Sequence, residues 1–211
     1  FKSYIDKASF QKYFLYAYLT LNLISLGTAF LISPRVFFFF LIYQFLMWFY
    51  SHKLSKILIV NNLTFVSLTV YPFFGMWIYY KTFSAKIFLM AIFLFLILLM
   101  IDIIKDFLTK NADKMFGYAT IPNQLGSNVS KVILGIISVL LMWISIVIIS
   151  KEGIHNIMNL YFAGGLLVLV FTIYLLLNPY KKSNFLVLNI LRIWVFVGII
   201  AMLMDGIILR F

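Results

Sequence analysis

An all-α, polytopic integral membrane helix bundle is the fold class this sequence predicts, on three observations. Hydrophobic residues make up 64% of the 211-residue chain and charged residues 11%. No soluble domain of this size hides so much apolar side chain, so the solvent is a bilayer. The apolar residues gather into seven runs, most of them near the ~20 residues that a helical crossing needs. Lys and Arg are divided unevenly between alternate connections, the mark of a fixed orientation across a membrane. Cysteine is absent, which excludes disulfides and thiolate metal sites. The net charge of +11 is spread along the connections, and no basic run interleaved with aromatics forms a stacking platform. Nucleic acid is therefore not an expected partner, whereas anionic lipid is.

Taken in order, the first span is Tyr13 to Ile32, closed by Ser33-Pro34-Arg35. The second, Val36 to Ser51, is short and aromatic, and its Trp48 and tyrosines suit an interface. The third is Ile57 to Tyr80, with Asn61 and Asn62 near its start and Pro72 and Gly75 inside. The fourth runs from Ser84 to Leu108, the fifth from Val132 to Ser150, the sixth from Ile157 to Asn178 and the seventh from Phe185 to Ile208. Between the fourth and fifth, Lys110 to Ser130 reads as an unusually long loop, with Gly117, Pro122 and Gly126 at turn-forming positions. Loops of that length in a bundle are often functional. No repeat or linker divides the chain, so residues 1–211 read as one transmembrane domain.

The orientation follows from the basic residues. Lys2, Lys7, Lys12, Lys53, Lys56, Lys105, Lys110, Lys114, Lys131, Lys181 and Lys182 fall on one side, against Arg35, Lys81, Lys86, Lys151 and Arg210 on the other. That excess puts the N-terminal arm in the cytoplasm and the C-terminus outside.

Three of the chain's six acidic residues, Asp102, Asp106 and Asp113, stand at the end of the long apolar run of the fourth span. Steps of four and seven return to nearly the same helix face. Ionisable groups at the rim of a membrane are costly and usually functional. Mg²⁺ favours oxygen ligands and is commonly shared between one or two carboxylates and substrate phosphates. Asp106 and Asp113 suit that use. Asp102, deeper, is either a third ligand or the buried partner of a lysine. Lys105 and Lys114 are interleaved and suit a phosphate-bearing ligand. The bland alternative is a cytoplasmic helix end with solvated charges.

The loop Tyr50 to Lys56 shares the predicted cytoplasmic face. Its Lys53 and Lys56 either hold a diphosphate as point charges or merely set topology. His52 reads as a surface residue. Asn61 and Asn62 need partners in lipid and commonly find them on a neighbouring helix. The aromatic stripes Phe37 to Phe40 and Phe93 with Phe95 face either lipid or a hydrophobic tunnel. Arg192 and Asp205 on the last span are too far apart to pair, and Arg192 is placed to snorkel.

The segment Lys105-Asp106, then Asp113-Lys114-Met115-Phe116-Gly117, then Ala119-Thr120-Ile121-Pro122, then Leu125-Gly126 resembles the second aspartate motif of the UbiA-type intramembrane prenyltransferases. Tyr50-Ser51-His52-Lys53-Leu54 with Asn62 resembles that family's upstream cytoplasmic loop and following span. Two departures stand out. The family's carboxylate four residues before the final aspartate is replaced here by Thr109, and the family's first aspartate motif is absent. Family members have nine spans, so the resemblance implies seven of nine, with two N-terminal helices and the first motif missing, and an isolated chain that is inactive.

The resemblance further implies a Mg²⁺-dependent prenyltransferase, a transferase of alkyl groups other than methyl. It would pass a prenyl group from a polyprenyl diphosphate to a small acceptor, in the bacterial inner (plasma) membrane. Asp106 and Asp113 would be catalytic, with Asp102 joining them around the metal. Lys53, Lys105, Lys114, Tyr50 and Asn62 would bind substrate. The alternative is a non-catalytic membrane protein, transporter-like or a degenerate paralogue.

Overall fold

The computed structural model describes the backbone of residues 2–80, 84–115, 119–152, 156–178 and 183–208, and side chains within 12–75, 84–115, 119–150, 156–178 and 183–207. Gly117, Lys81, His155, Lys181, Lys182 and Arg210 lie outside the described residues. All regular structure among the described residues is helical. The chain divides into two compact units, Phe1–His52 and Lys53–Phe211.

The first unit is a helical hairpin of α1 (Lys2–Ile32) and α2 (Pro34–His52). The break between them is local chemistry. The Ser33 hydroxyl accepts a bond from Val36 N at 3.3 Å, capping α2, and Pro34 occupies the first helical position, where its missing N–H costs nothing. Gln44 Nε2 donates to the Asn22 carbonyl at 3.3 Å, and Phe30 packs edge-on against Phe37.

The second unit opens with a 3₁₀ turn, Leu54–Lys56, followed by α3 (Val60–Tyr80), α4 (Ala85–Met115), the short α5 (Ile121–Gln124), α6 (Gly126–Glu152), α7 (Ile157–Leu177) and α8 (Ser183–Ile208). Ile59 has φ 66°, and Val60 N reaches back to the Leu58 carbonyl at 2.7 Å. This γ-turn, unusual for a β-branched residue, redirects the chain into α3. α4 is the central helix and touches α3, α5, α6 and α8, and protein encloses its Asp102 and Asp106.

The packing faces follow helical spacing. On α6 the buried stripe is Ser130, Leu134, Ile137, Ser138, Leu141, Ile144, Ser145 and Ile148. Ser138 and Ser145 return their hydroxyls to the Leu134 and Leu141 carbonyls at 2.8 and 2.9 Å. Small, self-satisfied residues of this kind let helices approach where lipid removes the usual hydrophobic drive. On α7 and α8 the seam is aromatic. Tyr161 stacks on Trp194 at 4.8 Å, with glycines beneath both rings.

Among the described residues five helices are long and apolar enough to cross a membrane, within α1, α4, α6, α7 and α8; this matches the expected seven spans in part, and α2 and α3 are not among the five. In α2, Arg35, Gln44 and His52 dilute the aromatic run. In α3, residues 76–80 lack described side chains. The expected long loop Lys110–Ser130 is mostly helix. α4 continues to Met115, α5 occupies its middle and α6 begins at Gly126, whose φ of 82° makes the turn that a glycine tolerates.

Candidate active site at the end of the central helix

Because α4 runs unbroken to Met115, Asp102, Asp106 and Asp113 lie on one helix. At 100° per residue they fall within about 40° of one another around its axis. Asp102 and Asp106 are buried, and Asp113 is half-buried. Two buried carboxylates one turn apart need compensation.

The compensation comes from α3. Asn62, 0% exposed, donates through Nδ2 to Asp102 Oδ2 and to Asp106 Oδ2, each at 2.8 Å. The second oxygen of Asp102 takes Lys105 Nζ at 2.9 Å. That ammonium also lies 5.3 Å from the centroid of the Phe65 ring on α3, a cation–π contact. Lys105 is thus oriented from both sides while its side chain stays 45% exposed.

Asp113 has a different partner. The Thr109 hydroxyl lies 2.7 Å from Asp113 Oδ2 and 3.2 Å from the Lys105 carbonyl. With one proton to give, it favours the shorter, charge-assisted bond.

Lys114 and Lys53 are exposed and form no ion pair among the described residues. Lys53 sits at the start of the 3₁₀ turn that leads into α3. Tyr50 is half-buried near the end of α2, in the first unit. His52 is exposed, with Nδ1 3.0 Å from the Trp48 carbonyl. Arg192 is exposed on α8 and Asp205 half-exposed, and they form no ion pair. Phe93 is buried, edge-on to Phe162.

The donor set suits a hard cation in an open site. Asn62 Oδ1 is buried with no hydrogen-bond partner, and Asp106 commits only Oδ2 to a described side chain. Such oxygens are what Mg²⁺ takes when water and phosphate complete its shell. Among the described residues no three His, Cys, Asp or Glu side chains converge as a closed metal cage.

A separate cavity of ≈ 330 Å³ lies between α3, α4, α7 and α8, walled by Phe73, Met90, Phe93, Ile97, Met158, Tyr161, Phe162, Gly198 and Met202 among others. Its α4 wall ends at Ile97, roughly 13 Å along the helix from Asp106 and on another face. It is apolar and offers nothing to a charged group.

Sequence reading missed how Asn62 is used, the Phe65 contact and the Thr109 bond. The signal for the first was visible: an amide pair in an apolar span must find polar partners.

Membrane-length helices around a central helix with acidic side chains buried at one end define an integral membrane protein with an ionic site inside its bundle. A model of the UbiA prenyltransferase family matches residues 10–200, and the chain belongs to that family. Its members carry out prenyl transfer within membranes. Neither the curated proteins nor the solved structures give a significant match.

Proposed function

We propose that this chain takes part in Mg²⁺-assisted transfer of a prenyl group from a polyprenyl diphosphate to a small acceptor, at the cytoplasmic face of the membrane. The observation that carries the reading is the arrangement on α4: Asp106 and Asp113 share a face, and Lys105 is held beside them by Asp102 and Phe65.

In this reading Asp106 and Asp113 would hold the cation through their carboxylate oxygens. When bound, Mg²⁺ supplies positive charge to the leaving diphosphate. Lys105, half exposed and oriented by Asp102 and Phe65 before substrate arrives, and Lys114, one position after Asp113, add positive charge to the phosphate oxygens. The allylic C–O bond breaks with its electron pair going to the diphosphate. The acceptor then bonds the allylic carbon and gives up a proton to the released diphosphate. Lys53, Tyr50 and Asn62 are proposed on the substrate side by their place in the sequence motif.

The second reading, a non-catalytic relative, draws on the lack of a three-carboxylate group among the described residues. The two are separated by radiolabel transfer in membranes of cells expressing the protein as it occurs. Label passing from a polyprenyl diphosphate into a product, and stopped by EDTA, is expected. Failure with every acceptor tried, alongside intact folding, favours the second reading.

Thr109 offers a sharper check of the cation's place. Thr109→Asp removes the hydroxyl donor and sets a carboxylate one turn from Asp113. Like charges at that spacing repel unless a cation is shared. The variant is expected to bind Mn²⁺ more tightly than wild type and to melt lower in EDTA. Unchanged Mn²⁺ affinity would place position 109 away from the cation.

A further inference from the structure

Asp102 and Asp106 are both buried, one turn apart and bonded to the same amide, yet they are not equivalent. Asp102 has both oxygens engaged, one by Asn62 and one by Lys105. Asp106 has one oxygen engaged by Asn62, and its other oxygen takes no hydrogen bond from the described residues. Among the described residues the positive group bonded to this pair is Lys105, and it is committed to Asp102.

Asn62 creates this division. Its amide carries two hydrogens, and each goes to a different carboxylate at 2.8 Å. The flipped amide would set its carbonyl oxygen against two carboxylates, so the network fixes which way the group points. The carbonyl oxygen is then left buried and unpartnered. A buried acceptor without a donor costs about 1–3 kcal/mol. Beside a carboxylate with a spare oxygen, it is a position that a cation relieves.

We propose that Asn62 is a positioning residue that assigns the two carboxylates their roles. Asp102 is the counter-ion that holds Lys105 and is not a metal ligand. Asp106 presents its free oxygen to a divalent cation, with the Asn62 carbonyl oxygen as the neighbouring acceptor. The inference rests on the reading that a divalent cation binds at Asp106.

The test is Mn²⁺ binding, followed by electron paramagnetic resonance on the protein in nanodiscs, with the melting temperature of each sample recorded. Asn62→Leu removes both donors and is expected to weaken Mn²⁺ binding by roughly tenfold or more, the usual consequence of losing a partner that orients a metal ligand. Asn62→Ser keeps one donor hydrogen and should fall between. Should Asn62→Leu fail to fold, Asn62→Ser carries the test. A lower melting temperature with unchanged Mn²⁺ affinity would mean that the amide only fills space, and would overturn the proposal. Absence of Mn²⁺ binding in the wild-type protein would be a different failure. It would remove the cation from Asp106, and the role of Asn62 with it.

Discussion

Asp106→Asn and Asp113→Asn are each expected to lower prenyl transfer by at least about 100-fold, which corresponds to about 2.7 kcal/mol of lost transition-state stabilisation. The reason is charge. An amide keeps the size of the carboxylate and can still meet Asn62 or Thr109, so the helices should stay packed. It brings no negative charge to a divalent cation, and its NH₂ group opposes one. The losses should differ in origin. Asp106 is buried and bonded by Asn62, so its variant should lose cation affinity within an otherwise intact network. Asp113 is half-buried and bonded by Thr109, nearer the mouth. Its variant should show a larger rise in KM for the prenyl diphosphate. Transfer rates across a Mg²⁺ series check both. Near wild-type rates in either variant would take that carboxylate out of the site. Asp205→Asn, on α8, serves as a control with little expected change.

Gly198→Val is expected to destabilise the second unit by about 1–3 kcal/mol, the range for forcing extra carbon into a packed core. A Cβ at Gly198 would lie 2.8 Å from both Cζ and Oη of Tyr161. Tyr161 has little room to give way, because its ring stacks on Trp194 at 10° and meets Phe93 and Phe162 edge-on. Trp194 is fixed in turn, with Cη2 2.9 Å from a Cβ at Gly164 and Nε1 3.3 Å from one at Gly165. Each ring therefore fills the space over a glycine of the facing helix, and α7 and α8 interlock. Gly164→Val should show a similar loss. Gly135→Ala, where a Cβ meets nothing within 4 Å, should be neutral. Unfolding of the detergent-solubilised protein measures all three, and an undisturbed Gly198→Val would show that the seam is loose.

What the sequence could and could not convey follows from the range of each interaction. The apolar runs set the long helices, because burial in lipid acts on every residue of a span. The acidic cluster was readable because Asp102, Asp106 and Asp113 are neighbours on one helix. Boundaries were less so. Lys110 to Met115 is polar and reads as loop in the sequence, yet its bonds continue α4, and the Thr109 to Asp113 contact lies along that extension. Gly126, Ser127 and Asn128 look like turn residues but begin α6. The bridge from Asn62 to Asp102 and Asp106 spans 40 and 44 residues. No local pattern specifies such a pairing; only the packing of α3 on α4 brings it about. Phe65 over Lys105 has the same origin, one turn further along α3.

The central claim is that Asp106 and Asp113 bind Mg²⁺ and a prenyl diphosphate together. The most direct measurement is the affinity of the protein in nanodiscs for a non-hydrolysable farnesyl thiodiphosphate, with and without Mg²⁺. Cooperative sharing of the cation predicts that Mg²⁺ tightens binding of the thiodiphosphate, and that the same thiodiphosphate tightens binding of Mg²⁺ by an equal factor. Asp106→Asn and Asp113→Asn should abolish the coupling while leaving the hydrocarbon contribution in place. Thiodiphosphate binding that is indifferent to Mg²⁺, or coupling that survives in both variants, would contradict it.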